Sequence, residues 1–89
     1  MALYKIRFSD RAQLDDLPKL DAFVRTEIAT AIENKLEIAP ETFGKPLRHA
    51  LRLIRVLRVG DWRIVFTITG AMVYILTVRH RKEGYDDLS

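Results

Sequence analysis

The sequence predicts an α+β domain in which two N-terminal helices pack on a four-stranded, mainly antiparallel sheet. Three observations support this class: an alternating segment at the N-terminus, an apolar stripe at spacings of three and four residues, and three apolar strand-like segments separated by short glycine-containing turns. The order is strand, helix, helix and then a three-stranded meander, with a short helix or tail at the end. Such an order places the helices on one side of an antiparallel sheet. The 89 residues are expected to form a single domain, residues 1–89.

The N-terminal half is predicted to contain one strand and two helices. Residues 2–8, "ALYKIRF", alternate between polar and apolar side chains, as in a half-buried strand. Ser9 is suited to cap a first helix through "DRAQLDDL", because its side chain can accept a hydrogen bond from the first helical turn. Pro18 is expected to interrupt that helix and to begin a second one, which runs to about Glu37. The second helix carries the apolar stripe that is predicted to pack on the sheet: Leu20, Phe23, Val24, Ile28, Ala31, Ile32 and Leu36.

The C-terminal half is predicted to be a loop followed by three strands. The segment "IAPETFGKPL" contains the prolines and the glycine that are typical of a loop. The strands are predicted at about Leu51 to Val59, Trp62 to Thr69 and Met72 to Arg79.

The first hairpin brings two arginines together. With Gly60 and Asp61 as a two-residue turn, Arg58 stands directly opposite Arg63. Because side chains alternate along a strand, both arginines are expected on the face opposite to the core residues Trp62, Ile64, Phe66 and Ile68. Like charges directly across a sheet are destabilising, and an anion between them would offset that cost. The pair therefore indicates an anion site.

The second hairpin has two possible registers, which differ in the length of the turn. With a two-residue turn, the face of Arg58 and Arg63 would also contain Met72, Tyr74, Leu76 and Val78. A three-residue turn, Thr69-Gly70-Ala71, places those four in the core, and we predict this register because large apolar residues belong there. The residues then expected on the face of Arg58 and Arg63 are Val73, Ile75, Thr77, Arg79 and Arg81.

The composition excludes several kinds of site. The chain has no cysteine and only two histidines, so disulfides and thiolate metal sites are ruled out, and no metal or other cofactor is predicted. No segment approaches the roughly eighteen apolar residues of a membrane span. The N-terminus lacks the apolar core of a signal peptide. We therefore expect a cytoplasmic protein with no membrane partner.

Charge is distributed unevenly along the chain. The net charge is +3, but residues 45–82 contain nine Lys/Arg and one acid, whereas residues 83–89 contain three acids and no base. A basic block of this kind is typical of a surface that binds a polyanion such as nucleic acid. A solvated sheet face would have the same composition, so charge alone leaves both interpretations open.

Several motifs together resemble the RelE/ParE toxins of bacterial and archaeal type II toxin–antitoxin modules. "YKIRFSDRAQLDDL" is similar to the first strand and helix of this family, "RVGDWRIVF" to its glycine-turn hairpin, and "HRKEGY" to its basic, tyrosine-containing C-terminal segment. The resemblance covers nearly the whole chain and implies a cognate antitoxin as partner. RelE-type members cut mRNA, usually on the ribosome, whereas ParE-type members inhibit DNA gyrase and generally lack the C-terminal catalytic residues.

The resemblance implies roles for individual residues. Arg63 and Arg81 match the phosphate-binding arginines of RelE-type members. Tyr85 matches their C-terminal tyrosine, and His80 is similar to a histidine found near the C-terminus of several members. Further basic residues are expected to contact RNA phosphates: Arg52, Arg55, Arg58, Arg79 and Lys82.

The first strand of the meander departs from the family pattern. Many members have a glycine, an aromatic and a basic residue where this chain has Leu53, Ile54 and Val56. The strand lysines that assist the chemistry in some mRNA-cutting members are therefore missing.

Metal-free RNA cleavage requires a base for the attacking 2′-hydroxyl, an acid for the leaving 5′ oxygen, and cations around the phosphate. Arginine suits the last task because its planar fork binds phosphate oxygens in pairs, but it stays protonated and cannot act as a base. His80 and Tyr85 are therefore the predicted acid–base candidates. The predicted register places the His80 side chain opposite to Arg79 and Arg81, unless the strand has ended by Val78.

Three functions remain open on the sequence alone. The one we favour is a RelE-type endoribonuclease, an mRNA interferase that is silenced by an antitoxin; Arg63 and the segment "RHRKEGY" distinguish it. The second is a ParE-type inhibitor of DNA gyrase without nuclease activity, which the atypical meander strand favours weakly. The third is a non-catalytic module that only binds an antitoxin. The basic block favours an antitoxin with an acidic, amphipathic segment that folds on binding.

Overall fold

The structure, a computed structural model that describes residues 3–47 and 53–88, has the predicted α+β architecture. Its sheet contains β1 (Lys5–Phe8), β2 (Lys45–Pro46), β3 (Arg55–Val59), β4 (Trp62–Thr69) and β5 (Met72–His80). The strand order is β1-β5-β4-β3-β2; β1 is parallel to β5 and the other pairs are antiparallel. The predicted start of the meander at Leu51 lies outside the described residues.

The sheet has one strand more than predicted. Lys45 and Pro46 pair with Val56 and Arg55, in a segment that was predicted to be a loop. Proline cannot donate a ladder hydrogen bond, but it is tolerated in an edge strand such as β2. The extra strand brings Lys45 onto the sheet.

The helices are α1 (Arg11–Asp16 continuing as Leu17–Lys19), α2 (Ala22–Ala31 continuing as Ile32–Leu36) and the short α3 (Pro40–Phe43). Ser9 caps α1 as predicted, because its Oγ accepts a hydrogen bond from the Ala12 N–H at 3.0 Å. Short 3-10 turns follow β5 at Arg81–Glu83 and Asp86–Leu88. Within the two described segments, no helix has the length and apolarity needed to cross a membrane.

The prediction that Pro18 begins the second helix is wrong. It lies within the last turn of α1, and the chain leaves the helical conformation at Leu20, whose ψ is 143°. The next helix begins at Ala22 because Asp21 Oδ1 accepts a hydrogen bond from the Val24 N–H at 2.9 Å, the usual role of an N-cap.

The core lies between the helices and one face of the sheet, called here the helix face. The predicted apolar stripe is buried there at Leu20, Ile28, Ala31, Ile32 and Leu36. Val24 of the same stripe is partly buried against this cluster, whereas the Phe23 side chain is 73% exposed. The sheet contributes Leu57, Ile64, Phe66, Val73, Ile75 and Val78, and Trp62 and Ile68 pack against this cluster as predicted.

The second hairpin has a two-residue turn, so the predicted three-residue turn is wrong. Thr69 pairs with Met72 across Gly70, which has a φ of +57°. In this register Val73 and Ile75 lie in the core, although they were predicted on the arginine side. Met72, Tyr74 and Leu76, which were predicted in the core, are only partly buried.

A β-bulge restores the predicted faces at the end of β5. The pairing of β4 with β5 is irregular, and Leu76 is the extra residue. An extra residue reverses the alternation of side chains beyond it. Val78 therefore lies in the core as predicted, and Arg79 pairs with Arg63 on the opposite face.

Candidate nucleic-acid interface

Three arginines form a row across the sheet on the face opposite to the helices, called here the arginine face. Arg58 of β3 pairs with Arg63 of β4, and Arg63 pairs in turn with Arg79 of β5. Directly paired residues of antiparallel strands share a face. The structure thus brings these three predicted residues together, although the turn length used to predict Arg79 was wrong.

Arg63 and Arg81 both contact the turn between β3 and β4. Arg63 Nη1 donates to the carbonyl oxygens of Gly60 and Trp62, each at 2.9 Å. Arg81 lies beyond the end of β5, where its backbone N–H donates to the Asp61 carbonyl at 2.8 Å and its Nε lies 3.6 Å from Asp61 Oδ1. The Arg81 side chain is more than half exposed, so it stands at the end of the arginine face rather than on a strand.

A cleft of about 650 Å³ adjoins the arginine row, and Arg58 belongs to both. The residues that line it come from α2, α3, β2, β3 and the C-terminal segment: Lys35, Phe43, Lys45, Pro46, Leu47, Val56, Leu57, Arg58 and Tyr85. Three are cations, and none of the lining residues, all of them within the described segments, is acidic. The cleft is therefore suited to a polyanion.

Lys45 reaches the cleft because β2 pairs with β3. Lys45 pairs with Val56, and Val56 pairs with Val65, which neighbours Arg63 on the arginine face. At the other side of the cleft, Lys35 Nζ lies 5.7 Å from the centroid of the Phe43 ring, a cation–π distance. Neither lysine was among the predicted site residues.

Arg79 and Tyr85 are linked through the C-terminal segment. The Arg79 side chain is only 3% exposed, and its two terminal nitrogens bind the two carboxylate oxygens of Asp87 at 2.8 and 3.0 Å. The same guanidinium lies 5.9 Å from the centroid of the Tyr85 ring. In this conformation the fork of Arg79, which was predicted to bind RNA phosphate, already holds a carboxylate.

The structure places Arg55 away from the predicted interface. Arg55 pairs with Phe66, so it lies on the helix face. Its Nη1 donates to the carbonyl oxygens of Gly44 at 3.0 Å and Glu41 at 3.4 Å, at the end of α3. A cation at that position satisfies the last carbonyls of a helix. Arg55 therefore has a structural contact with α3, and its phosphate contact stays a prediction.

His80 also points away from the arginine face, as its predicted register implied. It pairs with Trp62, and the two rings meet edge to face at 5.2 Å. Its Nδ1 accepts a hydrogen bond from the Lys82 N–H at 3.2 Å, and the Lys82 side chain is exposed beyond β5. Of the two predicted acid–base candidates, only Tyr85 lines the cleft. Arg52 lies outside the described residues.

Lys45 and Asp87 carry contacts that the sequence interpretation missed. Lys45 is followed by Pro46, which favoured a loop and concealed a two-residue edge strand. Asp87 was counted only as part of an acidic tail. The sequence did contain one signal for a contact of Asp87 with a basic residue, because the acidic tail directly follows the basic block.

The chain was compared with sequence profiles of known protein families. Residues 6–85 match the sequence profile of the family described as the ParE toxin of type II toxin–antitoxin system, parDE. The chain belongs to this toxin family. The match confirms the resemblance inferred from the motifs, while no individually curated protein matches the chain.

Solved structures of RelE proteins share the fold of this toxin. A chain of the RelBE2 toxin–antitoxin complex from Mycobacterium tuberculosis is 32% identical, with a TM-score of 0.80 over 89% of this chain and 99% of that one. The RelB–RelE complex from Methanococcus jannaschii contains a chain 24% identical, with a TM-score of 0.70 over 93% and 99%. The isolated E. coli RelE toxin is 21% identical, with a TM-score of 0.71 over 86% and 83%.

Proposed function

We propose that this toxin is an endoribonuclease that cleaves mRNA on the ribosome without a metal ion and is silenced by a cognate antitoxin. The observation that carries the proposal is the cleft, which is lined by the three cations Lys35, Lys45 and Arg58 and by Tyr85, with no acid among its lining residues. It continues through Arg58 into the arginine row. A groove of positive charge with an aromatic side chain suits single-stranded RNA.

The reaction is an attack by a ribose 2′-hydroxyl on the adjacent phosphate. The 2′ oxygen forms a bond to phosphorus and the bond to the 5′ oxygen breaks, which leaves a 2′,3′-cyclic phosphate and a 5′-hydroxyl. One proton passes from the 2′-hydroxyl to a base, and another passes from an acid to the 5′ oxygen. Charge that builds on the phosphate oxygens requires cations held in place beforehand. Among the described residues, no cluster of three or more His, Asp or Glu side chains is arranged to hold a metal, and this route needs none.

The side chains divide these tasks by their chemistry. Arg63 and Arg81 bind the phosphate oxygens, Arg81 from beyond the end of β5, and Arg58 adds a third cation opposite Arg63. Arginine cannot exchange the protons because it stays protonated. Three groups that line the cleft can do so: Lys35, Lys45 and Tyr85. Because Lys35 lies against the Phe43 ring, we assign the two proton transfers to Lys45 and Tyr85.

The proposed partner is an antitoxin with an acidic, amphipathic segment. The similar solved structures include RelB–RelE complexes, in which the toxin chain is bound to its antitoxin. The net charge of residues 45–82, with nine Lys/Arg and one acid, favours an acidic segment that folds on this surface. Co-purification with the product of the neighbouring small reading frame, together with relief of growth arrest, tests this partner.

The experiment that tests the nuclease function is induced expression with mapping of mRNA 5′ ends. The variants Arg63→Ala, Arg81→Ala and Tyr85→Phe are compared with Arg25→Ala, which removes an exposed arginine of α2 that does not line the cleft. Removal of one donor to the developing charge typically costs about 10²–10³ in rate, so the first two variants should lose cleavage and toxicity. If both stay folded and fully toxic, the phosphate assignment is wrong.

A second function is favoured by two specific observations. The matching family profile is that of ParE toxins. In addition, Val56 stands on the arginine face at a position where many members of the superfamily that the motifs resemble have a basic residue. The alternative is therefore a ParE-type inhibitor of DNA gyrase. A wild-type protein that leaves mRNA intact and blocks supercoiling by purified gyrase would establish it in place of the nuclease.

A further inference from the structure

Asp87 joins two arginines that lie on different elements. Besides its paired contacts with Arg79 of β5, Asp87 Oδ2 accepts a hydrogen bond from Arg11 Nη1 of α1 at 2.7 Å. Arg11 is half exposed, whereas Arg79 is almost completely buried. The carboxylate thus fastens the C-terminal segment to both the sheet and the first helix.

The contacts of Arg79 lie on both sides of Tyr85 in the sequence. Arg79 Nη1 donates to the carbonyl oxygen of Gly84 at 2.6 Å, one residue before Tyr85. Its fork holds Asp87 two residues after Tyr85, and its guanidinium lies beside the Tyr85 ring. The backbone is therefore held before and after the tyrosine, and the ring is packed against the same side chain.

The Arg79–Asp87 pair buries one of its two charges: the Arg79 side chain is 3% exposed, whereas that of Asp87 is 45% exposed. Withdrawal of the Arg79 guanidinium from water costs free energy, which its attraction to a carboxylate only partly offsets. In addition, Arg79 Nε is buried without a hydrogen-bond partner among the described residues. The bidentate geometry does fix the direction of both side chains, which a packed apolar pair would not do.

The geometry points to a positioning clamp, formed by Arg11, Asp87 and Arg79, that holds Tyr85 in the cleft. This inference rests on the proposed nuclease function, in which the Tyr85 hydroxyl exchanges a proton with the substrate. Arg79 then acts through Tyr85 and does not touch the scissile phosphate. The opposite assignment makes Arg79 a phosphate ligand, with Asp87 as a carboxylate that competes with RNA for the same fork.

The two assignments predict opposite effects of Asp87→Asn on cleavage of ribosome-bound mRNA by the purified full-length chain. If Asp87 positions Tyr85, the variant loses turnover, because a displacement of about 1 Å in a reacting group can cost about 10²-fold. The loss is expected in kcat with KM little changed. If Asp87 competes with phosphate, the variant gains activity or binds RNA more tightly, and the clamp is overturned. Asp15→Asn, which removes an exposed acid of α1, serves as the control.

A double-mutant cycle separates positioning from general damage to the fold. In a Tyr85→Phe background, Asp87→Asn should cause no further loss of cleavage, because the hydroxyl it positions is already absent. A full additional loss in that background would show that Asp87 acts independently of the tyrosine and would overturn the inference.

Trypsin provides a readout that does not depend on nuclease activity. Arg81 and Lys82 are exposed at the start of the C-terminal segment, directly before the clamped residues. Asp87→Asn should accelerate cleavage after Lys82 relative to wild type and to Asp15→Asn, and equal rates would overturn the clamp. A wild-type protein that leaves ribosome-bound mRNA intact overturns the proposed function and this inference with it, whereas normal cleavage by Asp87→Asn overturns the clamp alone.

Discussion

Arg58 and Arg63 stand directly opposite one another on β3 and β4, on the same face of the sheet. Like charges at such a position repel, so the sheet would be more stable without one of them. Arg58 is exposed, and Arg63 directs one nitrogen to the carbonyls of its own turn. A bound phosphate would relieve the repulsion, which is the role that the proposed function gives to this pair.

Arg58→Gln is therefore expected to stabilise the protein and to weaken its function. Removal of the repulsion should raise the free energy of unfolding by a few tenths to about 1 kcal/mol, measured by urea titration. RNA cleavage should fall by about 10²–10³, since a donor to the phosphate is lost. Arg25→Gln, at an exposed position of α2, should change neither quantity. A variant that is less stable than wild type would contradict the repulsion argument.

Lys45 offers a test of proton transfer as distinct from charge. Lys45→Arg keeps the positive charge at the cleft but removes a group that can exchange protons, whereas Lys45→Met removes both. If Lys45 transfers a proton, both variants should lose about 10²–10⁴ in cleavage rate. Near-normal cleavage by Lys45→Arg would leave Lys45 only an electrostatic role.

Neither Lys45→Arg nor Lys45→Met should change the stability of the protein, because Lys45 is exposed on a short edge strand. Exposed substitutions usually alter the free energy of unfolding by less than about 0.5 kcal/mol. Lys19→Met, an exposed lysine at the end of α1, is the matched control for the removal of a positive charge.

The fold was predictable where one face of an element is buried and the other is not. Residues 62–69 alternate between apolar and polar side chains except at Val65, which is buried on the arginine face. The bounds of the strand and its core residues Trp62, Ile64, Phe66 and Ile68 were predicted correctly. β5 is apolar on both faces from Met72 to Leu76, so its pattern did not distinguish between the two turn lengths. The prediction chose the wrong turn, and the bulge at Leu76 then returned Arg79 to the predicted face.

The candidate site was predictable only in part, because several of its contacts join distant segments. Arg58 and Arg63 follow from local hairpin geometry and were found. The place of Lys45 depends on a two-residue strand, and that of Asp87 depends on the return of the C-terminal segment over the sheet. Neither contact leaves a periodic pattern in the sequence.

Gly44 allows the packing beneath the sheet to be tested. A Cβ atom at this residue would clash with Phe66 Cζ and lie 2.7 Å from Phe66 Cε1. Its φ of −85° is accessible to any residue, so contact alone excludes a side chain. Phe66 is fully buried and its ring has no free space into which to move. Gly44→Ala is expected to lower the free energy of unfolding by about 1–3 kcal/mol in a urea titration.

A smaller side chain at residue 66 should relieve this clash. In a Phe66→Leu background, Gly44→Ala is expected to cost much less than it does in the wild-type chain, which appears as a favourable coupling in the cycle. An equal cost in both backgrounds would mean that the Phe66 ring is not the obstacle.

The pH dependence of stability tests the state of Asp87 in the folded protein. The Arg79 guanidinium, and after it that of Arg11, holds the pKa of the Asp87 carboxyl far below its usual range. In the unfolded chain an aspartate ionises at about pH 4. A carboxyl whose pKa is lowered by folding contributes stability that is fully present above the unfolded value and is lost as pH falls below it. The difference in Tm between wild type and Asp87→Asn should therefore be constant above about pH 5 and shrink below about pH 4.

Thermal unfolding between pH 2.5 and 7 measures this difference directly. Asp15→Asn is the control, since Asp15 is an exposed acid on α1 and its substitution should give a nearly flat difference over the same range. Because Arg79 is buried, salt should screen its pair with Asp87 less than it screens the half-exposed Arg11. A Tm difference for Asp87→Asn that persists unchanged down to pH 2.5 would mean that the carboxylate is not bound as an ion by Arg79, and the clamp on the C-terminal segment would lose its electrostatic basis.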